Sequence, residues 1–242
     1  MKLYYEDIGQ GEVVLLLHGF TGFSGDWLPL LPLLPKDFRY LIPDLSGHGR
    51  SPNAHQTYTH KETSIAIYQL LDDLGIQQFK ACGVSGGAMA LLHMATQQPL
   101  RVESMILVSP TTHYTDQARA IMGAVDLENI PQDDWNAMRK KHPGGTTQIQ
   151  ELWRLSRAFK DDYTDMNFQP ADLQTIQAST FIVHGECDPL IPNEIAETIE
   201  RYIPDSFLWS IASEGHVPVF GDQLTEFFHR ASNFLTTGKK ES

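Results

Sequence analysis

The hydrophobic pattern along the chain alternates between two periods. Continuous apolar runs, such as residues 13–17, are typical of strands that are buried on both faces of a sheet. Between such runs, apolar residues recur at helical spacing; Ile67, Leu70, Leu71 and Leu74, for example, share one face of a helix. Strands that alternate with helices predict βαβ units, so we expect an α/β fold with a mostly parallel central sheet flanked by helices.

The same pattern predicts the individual elements. The predicted strands are residues 3–8, 13–17, 39–42, 79–84, 105–109, 180–184 and 207–211, and the predicted helices are 58–74, 86–98, 193–202 and 223–235. Gly75 stands where a helix C-cap is expected. Pro99 and Pro110 end the elements that they follow, because proline cannot continue a helix and restricts the residue before it.

The segment 111–172 interrupts the alternation. It has helical patterns at 116–125, 133–140 and 148–159 but no strand pattern. Two interpretations are open: a helical insertion that lies over the sheet as a lid, or ordinary core helices of the same layer. Because long inserts between strands are commonly functional, we favour the lid. The predicted organisation is an α/β core at 1–110 and 173–242, with a helical cap at 111–172.

Composition and charge limit the classes of partner. The chain has 242 residues, a formal net charge of −12 and two cysteines. An acidic protein repels nucleic acid and anionic membrane surfaces, and two cysteines are too few for a disulfide scaffold. The N-terminus lacks a signal-peptide pattern and the apolar runs are too short to cross a bilayer. We expect a soluble, cytoplasmic monomer or homodimer that acts on a small-molecule substrate.

A G-x-S-x-G motif carries the first candidate chemistry. Gly83-Val84-Ser85-Gly86-Gly87 follows a predicted strand and opens a predicted helix, which is the context of a nucleophile elbow. The turn presents the Ser85 hydroxyl at the C-terminal edge of the sheet, where parallel sheets bind ligands. The alternative is a Gly-Ser turn without chemistry. The strand before the motif, the helix after it and the partners described next favour the elbow.

A serine hydroxyl needs a base, and the base needs an acid to orient it. His216 lies between the last predicted strand and the last predicted helix, and Asp188 follows the strand before those. The order Ser85, Asp188, His216 is the one used by hydrolases with a nucleophile elbow. We therefore predict Ser85 as nucleophile, His216 as general base and Asp188 as the orienting acid.

Two backbone N–H groups are predicted to stabilise the negative oxygen that forms during acyl transfer. They belong to Gly86, which follows the nucleophile, and to Phe20, in the Leu17-His18-Gly19-Phe20 turn after the second strand. His18 in that turn is predicted to be structural. The candidate pocket residues, for which core packing is the alternative, are Phe23, Trp27, His113, Trp135 and Trp153.

The other histidines are expected to lie outside the site. We place His93 in the core or partly exposed, His229 on the surface, and His55, His60 and His142 in polar surroundings. No cluster has the spacing of metal ligands, so we predict no metal site and no cofactor.

Four motifs together resemble the α/β-hydrolase superfamily over nearly the whole chain. They are the His18-Gly19-Phe20 turn, the loop Asp44-Leu45-Ser46-Gly47-His48-Gly49-Arg50-Ser51, the elbow, and the Asp188 and His216 loops. The resemblance implies an α/β-hydrolase fold with a helical cap, and a structural role for the Asp44 loop. Ser85 argues against haloalkane dehalogenases and epoxide hydrolases, which have aspartate at this position.

The function that this resemblance implies is that of a carboxylesterase-like serine hydrolase, which cleaves an ester or related acyl bond of a small, apolar substrate. A carbon–carbon bond hydrolase or an enol-lactonase is the alternative, because both could use the same three residues. A member of the fold that binds a ligand without turning it over is a third possibility, and the intact Ser85, Asp188 and His216 weigh against it.

Overall fold

The computed structural model describes residues 2–53, 57–126 and 128–239. Strands and helices alternate along the described chain. The strands are β1 (Tyr5–Gly9), β2 (Glu12–Leu17), β3 (Phe38–Pro43), β4 (Phe79–Val84), β5 (Val102–Val108), β6 (Ser179–Gly185) and β7 (Ser206–Ile211). The helices are α1 (His60–Asp73), α2 (Gly86–Gln97), α3 (Asp116–Gly123), α4 (Gln132–Lys141), α5 (Gly145–Ala158), α6 (Pro170–Leu173), α7 (Asn193–Tyr202) and α8 (Leu224–Thr237).

The seven strands form one sheet in the order β1-β3-β2-β4-β5-β6-β7. Only β1 pairs antiparallel with its neighbour, and the remaining pairs are parallel. The central strands β2 and β4 lie side by side, so the segments that follow them leave the sheet at the same edge. The α/β-hydrolase fold predicted from the sequence, a mostly parallel sheet flanked by helices with a helical insertion, is confirmed.

Successive residues of the strands pack into two separate cores, one on each face of the sheet. On one face, Leu15 and Leu107 pack with apolar residues of α1, α2 and α7. On the other face, Leu16 and Ile106 pack with aromatic residues of α8 and with Trp27. Because both faces are covered, the strands are apolar throughout, which explains why they appear in the sequence as continuous runs.

The insertion between β5 and β6 contains α3 to α6. Its two ends meet in a short bridge between His113 and Asn167, supported by a hydrogen bond from Phe168 N to Thr112 O (3.0 Å). Leu155 and Phe159 join the core on the α1 and α2 face, while Met138, Ile149 and Leu152 form a smaller cluster of their own. Of the described helices, none is long and apolar enough to span a membrane.

Some predicted boundaries shift because burial overrides local composition. Strand β5 begins at Val102 rather than at residue 105, since Ser104 is buried within the strand despite its hydroxyl. Helix α5 begins at Gly145 rather than at residue 148. Gly75 follows the C-cap residue Leu74 with φ +69°, the left-handed conformation that glycine adopts readily after a helix.

Candidate active site

Ser85 lies at the sharp turn between β4 and α2. Its φ is +49° and its ψ −113°, a backbone conformation that a residue with a side chain rarely adopts. The turn brings strand and helix so close that a Cβ on Gly83 would lie 2.6 Å from the carbonyl oxygen of Gly87. A Cβ on Gly87 would lie 2.5 Å from the carbonyl oxygen of Leu17. The turn therefore requires glycine at positions 83 and 87, two residues before and two residues after the serine.

The structure brings Ser85, His216 and Asp188 together. His216 Nε2 is 2.9 Å from Ser85 Oγ, and His216 Nδ1 is 2.6 Å from Asp188 Oδ2. The Asp188 side chain is fully buried, whereas that of His216 is 22% exposed. With a proton on Nδ1 held by the carboxylate, Nε2 is free to accept the serine proton, which is the arrangement required for general-base activation of a hydroxyl.

Backbone contacts hold the two loops that carry this pair. The second oxygen of Asp188, Oδ1, accepts hydrogen bonds from Leu190 N (2.8 Å) and Ile191 N (3.1 Å). In the His216 loop, Val217 has a φ of +62° and its N–H donates to Ser109 Oγ (3.3 Å). Both oxygens of the Asp188 carboxylate therefore accept hydrogen bonds, and these contacts fix its orientation.

The N–H groups of Phe20 and Gly86 lie beside the serine. A Cβ built on Gly86 would be 3.2 Å from Phe20 N, so the two backbones approach closely. Neither N–H donates to an acceptor in the described parts of the chain. Gly86 is also the first residue of α2, where the helix dipole favours negative charge. The pair therefore offers two N–H donors beside the serine, one of them at a helix N-terminus, which is the chemistry of an oxyanion site.

A cavity of about 110 Å³ opens onto Ser85. Its polar lining residues include Ser85, His216 and His60. The other lining residues are mostly apolar: Phe20, Gly86, Met89, Tyr114, Met122, Ser156, Phe159, Leu190 and Ile191. Since one water molecule occupies about 30 Å³ in the liquid, a cavity of this size holds a short acyl group.

The structure places the five predicted pocket residues elsewhere, and this expectation is corrected. Trp27 is 1% exposed and packs in the core on the α8 side of the sheet. Trp135 and Trp153 pack against the small cluster formed by α4 and α5. His113 is exposed at the base of the insertion, and Phe23 packs on Gly25 and below Lys141. The helices of the insertion turn Met122 and Phe159 toward the serine instead.

Two histidines expected in polar surroundings are buried. His142, in the insertion, accepts a hydrogen bond from Gly49 N (3.0 Å) at Nδ1 and is 3.1 Å from the carbonyl oxygen of Thr21 at Nε2. His60 lines the cavity, 1% exposed. Both lie next to polar residues in the chain, so nothing in the sequence marked them as buried. His229 is exposed as expected, and His55 lies outside the described residues.

His18 and Asp44 have structural contacts. His18 Nε2 accepts a hydrogen bond from Leu45 N (3.0 Å), and burial lowers the pKa of this imidazole to about 4. Asp44 accepts from Ser24 N (2.6 Å) and Arg50 N (2.7 Å). In residues 2–53, 57–126 and 128–239, no group of three or more His, Cys, Asp or Glu side chains is placed to hold a metal ion.

Comparisons with known proteins show the family to which the chain belongs. A family model described as the alpha/beta hydrolase fold matches residues 12–149, more than half of the chain. Over 243 residues, the chain is 26% identical to a pimeloyl-[acyl-carrier protein] methyl ester esterase from Nitrosospira multiformis, covering 90% of this chain and 92% of the relative.

Solved structures show the same fold at lower identity. MGS-M2, an alpha/beta hydrolase enzyme from a Medee basin deep-sea metagenome library, superposes with a TM-score of 0.80 at 20% identity, covering 99% of this chain and 96% of the other. The enol-lactonase from Burkholderia xenovorans LB400 superposes with a TM-score of 0.75 at 18% identity, covering 97% and 96%.

Proposed function

The chain belongs to the α/β-hydrolase family, and from that premise we propose that it is a serine hydrolase that cleaves a carboxylic ester, or a related acyl bond, through an acyl-enzyme on Ser85. The observation that carries the proposal is the continuous hydrogen-bonded chain from Ser85 Oγ through His216 to Asp188, with distances of 2.9 and 2.6 Å. That chain ends in a fully buried carboxylate and opens onto a cavity.

In the first half of the reaction, His216 Nε2 takes the proton of Ser85 as Oγ attacks the substrate carbonyl. The imidazolium that forms is stabilised by Asp188, whose buried carboxylate is already 2.6 Å from Nδ1. The carbonyl oxygen becomes negative and accepts hydrogen bonds from the N–H groups of Phe20 and Gly86. Each such donor lowers the barrier by about 3 kcal/mol.

The first half ends when the bond between the carbonyl carbon and the alcohol oxygen breaks, His216 gives its proton to the leaving alcohol, and the acyl group remains on Ser85 Oγ. In the second half, a water molecule occupies the place of the alcohol and loses a proton to His216 as it attacks the acyl carbon. The acid product leaves and Ser85 recovers its hydrogen. Every proton in this cycle passes through one nitrogen atom, His216 Nε2.

The substrate class follows from the cavity and the insertion. Met89, Met122 and Phe159 make the wall beside Ser85 apolar, so a short and largely apolar acyl group fits best. Met122, Ser156 and Phe159 come from the insertion. We assign segment 111–172 the role of a cap that encloses the acyl group, over a core formed by 1–110 and 173–242.

The test compares purified wild type with Ser85→Ala. We expect wild type to hydrolyse short p-nitrophenyl esters and to be labelled by a fluorophosphonate probe, and the variant to do neither while keeping its circular dichroism spectrum and melting temperature. Retained turnover in Ser85→Ala would exclude Ser85 as the nucleophile. A well-folded wild type that is never labelled would favour a ligand-binding protein.

A second panel separates the bond types. It contains simple esters, an enol-lactone and a dienoate ring-cleavage product, all of which could be processed by the same three residues. We expect the highest kcat/KM on esters. A higher kcat/KM on the dienoate or the lactone would identify the protein as a carbon–carbon bond hydrolase or an enol-lactonase. The proposed role of Ser85 would be unchanged.

A further inference from the structure

The cavity contains a second imidazole besides His216. His60 is the first residue of α1, and its Nδ1 is 2.8 Å from Asp165 Oδ2. Its ring packs against Phe159, with ring centroids 5.2 Å apart, and against Tyr58, at 5.3 Å, and these two rings also contact each other. Because it is 1% exposed and packed against two rings, the imidazole has a fixed orientation.

Asp165 determines which nitrogen of His60 carries a proton. Its side chain is 2% exposed and also accepts hydrogen bonds from His60 N (2.6 Å) and Lys61 N (3.0 Å), at the N-terminus of α1. Burial by itself would raise the pKa of Asp165, but the hydrogen bonds from His60 and the nearby ring of His93, with Nε2 3.2 Å from Oδ1, outweigh it and hold the pKa well below its usual range. An ionised carboxylate can only accept, so Nδ1 of His60 is the protonated nitrogen.

The other nitrogen of His60 faces the reaction site. Nε2 is 3.7 Å from the position that a Cβ on Gly86 would occupy, and that position is 3.2 Å from Phe20 N. Nε2 has no hydrogen-bond partner among the described residues, and in the neutral ring it is an acceptor. A substrate that covers this acceptor without supplying a donor leaves it unpaired, which is costly, so the site favours a substrate that supplies a donor.

We propose that His60 is a substrate-binding residue whose Nε2 accepts a hydrogen bond from a hydroxyl group on the carbon next to the scissile carbonyl. The carbonyl oxygen lies at Phe20 and Gly86 N–H, and a hydroxyl on the adjacent carbon lies beside it, within reach of Nε2. Asp165 is the positioning residue that holds the proton of the neutral ring on Nδ1, so that Nε2 faces the cavity as the acceptor. The preferred substrates are therefore esters of short 2-hydroxy acids, an inference that rests on the serine hydrolase function proposed above.

The experiment measures kcat/KM for methyl 2-hydroxybutyrate and methyl butyrate by proton release at constant pH. Two variants separate the roles of the two nitrogens. The amide of His60→Asn reaches the position of Nδ1, so it keeps the contact with Asp165 and lacks the atom that faces the cavity. The amide of His60→Gln reaches the position of Nε2 and supplies an acceptor oxygen there. His93→Gln is the matched control, because His93 contacts Asp165 but does not line the cavity.

We expect the wild-type ratio of kcat/KM values, hydroxy ester over plain ester, to fall at least 10-fold in His60→Asn, to recover in part in His60→Gln and to stay unchanged in His93→Gln. Comparing ratios between proteins cancels the different intrinsic reactivities of the two esters. Equal ratios in wild type and His60→Asn, with both folded, would overturn the proposal while the serine hydrolase function stands.

A binding measurement does not depend on turnover. In the Ser85→Ala variant, the dissociation constants of the two esters are measured by calorimetry, with and without His60→Asn. We expect the hydroxy ester to bind at least 10-fold more tightly than the plain ester only when His60 is present. Equal affinities would refute the role of His60. If Ser85→Ala still hydrolyses either ester, the proposed nucleophile is wrong, and the ratio of kcat/KM values in wild type and His60→Asn still tests His60.

Discussion

Replacing Asp188 with asparagine tests how the carboxylate directs His216. Asparagine has nearly the same shape, but only one of its two terminal atoms is an acceptor. In the native protein, Oδ1 accepts from Leu190 N and Ile191 N, and Oδ2 accepts from His216 Nδ1. The amide can therefore accept either from the two backbone N–H groups or from His216, but not from both.

The two backbone donors decide the choice. Turning the NH₂ group toward Leu190 and Ile191 would leave one buried and one partly buried N–H group unpaired, at a cost of up to about 1–3 kcal/mol each. The amide oxygen therefore stays with the backbone, and the NH₂ group faces His216. Nδ1 must then accept, the ring proton moves to Nε2, and Nε2 can no longer take the proton of Ser85.

For Asp188→Asn we expect kcat/KM on a short p-nitrophenyl ester to fall about 10⁴-fold, a change of about 5 kcal/mol in the activation barrier. The free energy of unfolding, measured by denaturant titration, should change by less than about 1 kcal/mol because the backbone contacts remain. Glu186→Gln is the control, since Glu186 lies in the same loop, is exposed and contacts Ser210. A variant with more than a tenth of wild-type kcat/KM would refute this account of the tautomer.

Two further predictions concern stability. The pKa of His18 is about 4 in the folded protein against 6.5 for a free imidazole, so the unfolded chain binds the proton first and stability is lost as pH falls from about 6.5 toward 4. Protonation of His18 alone should lower the free energy of unfolding by about 2 kcal/mol between pH 7 and pH 5. Denaturant titrations at both pH values should show this loss in wild type and in the surface control His229→Gln. An equal loss in His18→Gln would contradict the assignment. Trp27→Ala removes a core side chain that is 1% exposed and should lower the free energy of unfolding by about 3–5 kcal/mol. The kcat/KM of the folded variant should match that of wild type. A lower kcat/KM per folded molecule would show that Trp27 contributes to the substrate pocket.

The parts of the molecule that could be predicted from the sequence are those where the structure permits only a few residue types. Strands buried on both faces are apolar throughout, so residues 13–17 and 79–84 were recognised with errors of one residue or less. The turn at Ser85 needs glycine at Gly83 and Gly87, because any side chain there would collide with backbone. The chain order of Asp188 and His216 relative to those strands then placed both candidates at the same edge.

The cavity walls could not be predicted, because they depend on how the insertion docks. Trp135 and Phe159 are both aromatic residues in helical segments, and the sequence does not distinguish the one that packs on α4 and α5 from the one that faces Ser85. His60 is equally ambiguous. Its burial depends on Asp165, which is 105 positions further along the chain.

The contact between His60 and Asp165 joins the two parts of the chain. His60 begins a core helix, whereas Asp165 belongs to the insertion, and the carboxylate is the acceptor for Nδ1. The orientation of this cavity imidazole therefore depends on how the insertion docks on the core. A substitution that disturbs the docking of the insertion, far from the cavity in the chain, would also change the hydrogen bonding of His60.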